Sequence, residues 1–321
     1  MRDLSRKRLA CVALVTLFSL GWFASADASI LAQSTLDVNN FQFLNPNGTT
    51  INASQLDVFV FQDSSQATAN LNGIVATQTI NSNIFGTLDL PQQCVGQCGG
   101  FAQNDFSQRN PPATLNVARA DTLLTGAPII NPAGISTPAT ARLVTEGQLT
   151  SIQGNGNVQA NLGLTASFSF SLANTSQAVI IDFDTVQHLV ASVGLTDALG
   201  STARSSTGWT IEIRDQNGNV VFSWTPNGGA GGITGGTEIN DACNMTTAVN
   251  AQIPGQVSTF NCSGHERAIT GVLDAAQTYT LGLRHEGASD VTRIAAVPAP
   301  AGLLLLGLGL IGAGFLGRRK M

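Results

Sequence analysis

The chain has 321 residues, of which 43% are hydrophobic and 11% charged, against about a quarter charged in ordinary domains. That length admits one large domain or two ordinary ones, and the apolar content is enough for a core, which excludes a disordered chain. Residues 29–297 hold eight arginines, no lysine and 18 acidic side chains, a formal charge of −10. This disfavours nucleic acid and anionic membrane surfaces as partners, since both require basic patches.

The first element is MRDLSRKR, a basic start, followed by the uncharged apolar run Leu9–Phe23 and the small residues ASADAS. Alanines stand at the minus-three and minus-one positions twice, as Ala24/Ala26 and Ala26/Ala28. This is the layout of a secretory signal peptide. The apolar run of 15 residues is shorter than the roughly 20 that a spanning helix needs. The sequence therefore predicts a signal helix over 1–28, cut after Ala26 or Ala28.

The body reads as strands. LDVNNFQF (36–43) and LDVFVF (56–61) place apolar residues at alternate positions on either side of the turn-rich NPNGTT. From Cys94 to Pro138 the chain is irregular and rich in proline, and ATARLVTEGQLTSI (139–152) suits a short helix or a strand. A soft boundary near residue 150 divides the body into 29–150 and 151–296. The first part then forms either a β-rich region of its own or extra strands of one sandwich. SFSFSL (167–172) alternates, and AVIIDFD (178–184) is an apolar, β-branched run. WTIEIRDQNGNVVFSW (209–224) sets Trp209, Ile211 and Ile213 on one side and turns at Asn217-Gly218, the strongest short hairpin signal. TYTLGLRH (278–285) puts Tyr279, Leu281 and Leu283 on one face. Many short strands separated by turns predict an all-β fold, an antiparallel, jelly-roll-like β-sandwich.

Candidate chemistry is sparse. Four cysteines remain outside the signal segment: Cys94, Cys98, Cys243 and Cys262. An even count in an exported chain suggests two disulfides with three possible connectivities. The local pairing Cys94–Cys98 and Cys243–Cys262 is preferred, because each pair lies in a Gly/Asn/Gln-rich stretch where a staple helps most. The spacings do not suit zinc. Two of three histidines precede glutamate, His265-Glu266 and His285-Glu286, without the second histidine of a metalloprotease helix; they read as polar side chains at the surface. Asp182 and Asp184 share a strand face, as solvated pairs often do. The run Asp215–Asn219 alternates oxygen side chains as calcium loops do, yet Pro226 stands where the last glutamate belongs, so a plain turn fits better. NGGAGGITGG (227–236) lacks the Gly-Lys-Ser/Thr of a phosphate loop. Trp209 and Trp224 flank the hairpin and read as core.

The last element is VPAPAGLLLLGLGLIGAGFLGRRKM (297–321). Val297-Pro298-Ala299-Pro300 breaks regular structure. Ala301 to Gly317 is apolar and uncharged, 17 residues, about 25 Å long as a helix. Arg318, Arg319 and Lys320 form a basic stop that holds such a segment with its N-terminal side outside. The arrangement resembles the PEP-CTERM sorting signal of Gram-negative bacteria, with Ala299 where the family motif has glutamate. The resemblance implies recognition by exosortase, a membrane-embedded, cysteine transpeptidase-like enzyme. It also implies a C-terminal transmembrane helix held transiently in the inner membrane, removal of the tail, and delivery to the cell surface or an extracellular polysaccharide matrix. LDVNNFQF and WTIEIRDQNGNVVFSWTPNGG, taken with the tail, resemble the exosortase-dependent surface proteins, for which no catalytic residues are established. The expectation is a non-enzymatic exported surface or biofilm-matrix protein without a cofactor. The reading from another class is a carbohydrate-binding module or lectin-like adhesin, with or without calcium, and a secreted hydrolase ranks third.

Overall fold

Alternation of apolar and polar side chains forces strands to lie with one face buried, and the first strand shows how the chain keeps that phase. In β1 (Ser29–Leu44), Ile30, Ala32, Leu36 and Val38 face inward, and so do Phe41 and Phe43, three and five residues after Val38. An irregularity between Val38 and Phe41 re-phases the strand, with Asn40 at φ +55°. This is the work of a β-bulge. The computed structural model describes residues 29–83, 87–150 and 155–294. The expected signal helix and C-terminal helix lie outside them. Among the described residues no helix is long and apolar enough to cross a membrane.

The turn after β1, with a 3₁₀ turn at Ala53–Gln55 capped by Asn52, carries the chain across to a second sheet. There β2 (Leu56–Leu71) and β3 (Ile74–Ser82) form a hairpin. The chain returns for β4 (Thr87–Gly96), β5 (Val117–Thr125) and β6 (Ala139–Thr150). The stretch that suited helix or strand is therefore strand, and the irregular, proline-rich region contains β5. The chain then alternates: β7 (Gly156–Leu172) in the second sheet, β8 (Ile180–Val193) in the first, and β9 (Thr202–Asp215), β10 (Val220–Trp224) and β11 (Ile233–Thr234) in the second. It ends with β12 (Gly236–Asn240) and β14 (Val257–Thr270) in the first sheet, and β13 (Thr247–Ala251) and β15 (Thr278–Arg293) in the second.

The first sheet has seven strands in the order β12-β14-β8-β1-β6-β5-β4. The second has eight, β11-β10-β9-β15-β7-β2-β3, with β13 also paired to β9. Every pairing between these strands is antiparallel. Both sheets draw strands from both sides of residue 150.

The sheets face each other over a core rich in rings. Phe41, Phe43, Phe168, Phe170, Phe183, Trp209, Trp224 and Tyr279 lie with neighbouring centroids between 5.3 and 6.4 Å apart. Tilted, edge-on and one offset-stacked pair avoid the face-to-face sandwich that aromatic quadrupoles disfavour. A second, smaller apolar cluster around Ile30, Leu149, Val158 and Val291 fills the other end. Between the two lies a polar belt. The Thr145 and Ser289 hydroxyls meet at 2.9 Å, Ser205 donates to the Gln33 carbonyl at 2.6 Å, and Gln187 pairs with Thr207.

Candidate functional site

The outward side chains of the eight-stranded sheet form the candidate site. Regular register lines up two rows across its centre: Gln66, Gly163, Glu286 and Gly208 in one, and Thr68, Asn161, Ala288 and Ser206 in the next. The glycines and alanine drop the floor between the longer side chains. With Thr246 from the adjoining edge, these residues line an open groove of about 490 Å³. Its walls carry hydroxyls, amides and one carboxylate, that of Glu286, which accepts from Arg284 at 2.5 Å.

Gly163 is the telling position. A glycine inside a long strand costs stability, and it ordinarily marks a bulge or a close approach of another backbone or a ligand. The pairing of β7 through this residue is regular on both sides, and Gly163 is not among the glycines with positive φ. A Cβ built there would meet nothing within 4 Å. Gly287, on the inward side, is the contrast: its Cβ would stand 2.4 Å from Leu143 Cδ2, so sheet packing dictates that glycine. Gly163 has no such neighbour; like Gly282 on the same face it opens outward, and of the two it lines the groove. Donors and acceptors spread over a shallow, uncrowded floor suit a polar, hydroxyl-rich ligand better than an apolar or strongly anionic one.

The histidines divide by strand phase. His285 is 1% exposed and packs edge-on against Trp209 at 5.2 Å between centroids. Its ring nitrogens have no hydrogen-bond partner among the described residues. Burial pushes its pKa down to about 3, so it stays neutral and hidden. This corrects the expectation that both side chains of the pair face solvent, since Glu286 alone faces out. In the other pair the phase is reversed. Glu266 is buried, accepting from the Ala242 N–H at 2.8 Å, and burial raises its carboxyl to about 7. His265 faces out, 3.0 Å from Asp184 and 3.3 Å from Asp182. Asn40 donates to Asp184 at 2.8 Å and, with His265, holds that carboxyl below the ordinary range. Asp182 and Asp184 are thus committed to an exposed ion cluster that Arg267 joins at 3.4 Å.

The β1, β5 and β6 part of the outer face of the seven-stranded sheet is covered by its own chain. Residues 101–116 lie over β1, β5 and β6. Beneath them Arg119 and Glu146, both 0% exposed, pair at 2.8 Å, and the Phe101 ring sits 4.3 Å from the Arg119 guanidinium carbon. Gln33 ties the cover down, donating to the Ser107 carbonyl at 2.9 Å and accepting from the Arg109 N–H at 2.6 Å. That leaves the outer face of the eight-stranded sheet uncovered, together with the β8–β14 end of the first sheet that carries Asp184 and His265. Sequence reasoning missed this network because its partners are far apart in the chain.

The predicted cysteine pairs form as expected, Cys94 with Cys98 and Cys243 with Cys262. In the hairpin the Asp215 carboxylate accepts the N–H groups of Asn217 and Asn219 at 2.8 and 2.9 Å, so the turn itself engages the oxygens that a calcium reading would use. Among the described residues no group of three or more His, Cys, Asp or Glu side chains is placed to hold a metal ion. Trp209 and Trp224 are buried. Ala26, Ala28, Val297, Pro298, Ala299, Pro300, Arg318, Arg319 and Lys320 lie outside the described residues.

Fold and site together define a disulfide-stapled, two-sheet β-protein whose one outer face is partly covered by its own chain and whose other is open and polar. Residues 296–320 match the family model of the PEP-CTERM protein-sorting motif. The tail is thus a sorting signal, which marks an exported protein for exosortase and for the surface or exterior of the cell. No curated protein and no solved structure matches the chain.

Proposed function

We propose that the protein is a non-enzymatic component of the cell surface or extracellular matrix of a Gram-negative bacterium. Residues 1–28 direct export and are cut after Ala26 or Ala28. The tail pauses in the inner membrane with Arg318, Arg319 and Lys320 as its stop, and exosortase acts at Val297–Pro300. The observation that carries this reading is the sorting motif at 296–320, joined to a body that is acidic and disulfide-stapled, as suits an oxidising exterior. Deleting Val297–Met321 tests it. The deleted form should lose its surface location, and a deleted form found where the intact one is found defeats the reading.

A second reading is supported by the groove: the open eight-stranded face binds a hydroxyl-rich polysaccharide. The empty space above Gly163 favours it. A glycan array with the wild type and Gly163→Val, each with and without calcium, is the test. Binding that the valine abolishes supports the groove as the site. Flat responses throughout refute the reading, and binding that depends on calcium assigns the ion a part.

A further inference from the structure

Both ends of the described body leave from the same end of the sandwich. Ser29, where β1 begins, accepts the Gly194 N–H at 2.9 Å through its carbonyl. Ile294, one residue past β15, donates its N–H to the Ser201 hydroxyl at 3.1 Å. Gly194 and Ser201 bracket a single loop, and that loop is fastened to the last strand: Asp197 pairs with Arg293 at 3.1 Å and accepts the Gly194 N–H at 3.0 Å.

The tip around this loop is apolar. Leu195 and Leu199 are 78% and 77% exposed, and Ile253, Val257 and Ile294 are exposed beside them. The 252–257 loop is tied to the same strand end, Gly255 donating to the Val193 carbonyl at 2.9 Å. Among the described residues of the two loops and the last strand end, the charged side chains Asp197 and Arg293 are buried and paired with each other. In a body of charge −10, exposed leucines and isoleucines gathered at one end call for a partner.

The sequence says which partner is near. Six residues, 295–300, separate Ile294 from the apolar run Ala301–Gly317, a reach of at most about 20 Å. Five residues, 24–28, separate Ser29 from the apolar run that ends at Phe23. We infer that the tip built from the 194–201 and 252–257 loops is a lipid-facing surface, seating the sandwich end-on at the bilayer while the tail is inserted. Leucine and isoleucine side chains enter the interfacial layer, as on proteins that lie at a membrane surface. Removal of the tail then frees the tip, because a few exposed apolar side chains alone hold a protein weakly. The inference rests on the reading of 301–317 as a membrane-inserting segment.

The test is hydrogen exchange of the chain with its tail, in phosphatidylcholine vesicles and in solution, with protease protection of 301–317 followed in parallel. Amides of 194–200 and 252–257 should exchange at least about tenfold more slowly on vesicles. Leu195→Ser with Leu199→Ser should remove most of that protection while the tail stays protected and the unfolding midpoint is unchanged. A protected tail with unprotected loops overturns the inference and leaves the tail reading intact. An unprotected tail overturns both. Loop protection that follows protein concentration rather than lipid assigns the tip to a second copy of the chain and also overturns it.

Discussion

Replacing His285 with leucine isolates a single acid-sensitive group in the core. The imidazole is 1% exposed and its pKa falls from 6.5 to about 3 in the fold. Above pH 6.5 it is neutral in folded and unfolded chains alike, so it contributes no pH dependence. Below that, the unfolded chain takes up a proton that the folded one refuses, and stability is lost as pH falls from 6.5 toward 3. At pH 4 the loss is about 3 kcal/mol, from about 1.4 kcal/mol per unit over the interval from 6.5. His285→Leu removes that term. At pH 7 the variant should lie within about 2 kcal/mol of the wild type, because it trades a buried polar group for an apolar one of similar size. Urea unfolding followed by tryptophan fluorescence at pH 7, 5.5 and 4 measures the gap, and Trp209 beside the ring makes the signal local as well as global. The wild type should fall progressively behind the variant, reaching about 3 kcal/mol at pH 4 relative to pH 7. Parallel pH curves would show that the ring is solvated or protonated in the fold, and would refute the placement.

Glu266→Gln should show the opposite trend. A carboxyl raised from 4.5 to about 7 costs the fold as it ionises, so the wild type should weaken relative to the variant between pH 5 and 8, by up to about 3 kcal/mol, read as the difference between their urea-unfolding free energies at each pH. Replacing Cys243 and Cys262 by serine opens a loop of sequence separation 19 and should cost about 3 kcal/mol. The same change at Cys94 and Cys98, separation 4, should cost about 2 kcal/mol. Denaturant midpoints of the two variants give the ranking, and a reversal contradicts the chain-entropy account. Arg119→Met takes away the nearest cation from buried Glu146, leaving it the amides of Gln33 and Gln148 and the Arg109 guanidinium at 3.8 Å, and should cost about 3 kcal/mol, most of it recovered when Glu146→Leu is added; a double-mutant cycle reads the coupling.

Much of the sandwich was legible because strand phase is written in the sequence. Trp209, Ile211 and Ile213 face inward as their spacing demands, and the Asp215–Asn219 turn closes the hairpin with Gly218 at φ +83°. The same rule could have placed His285. It continues the face of Tyr279, Leu281 and Leu283 by steps of two, and only its polarity argued against burial. Glu266 was hidden for the same reason, since a charged side chain on an inward phase reads as solvent. The bulge at Asn40 was not legible, because the break in alternation between Val38 and Phe41 could equally have ended a strand. Arg119 and Glu146 gave no local sign either, being 27 residues apart and joined only when β5 pairs β6. The groove was the least legible feature. Gly163 becomes informative only once register sets it opposite Gln66 and Glu286 and the space above it is seen to be open.

The most direct test of the account is the intact mass of the protein recovered from the cell exterior. The account predicts a chain that begins near Asp27 or Ser29, ends within or just before Val297–Pro300, and carries two disulfides. A mass that still includes Ala301–Met321 would contradict it.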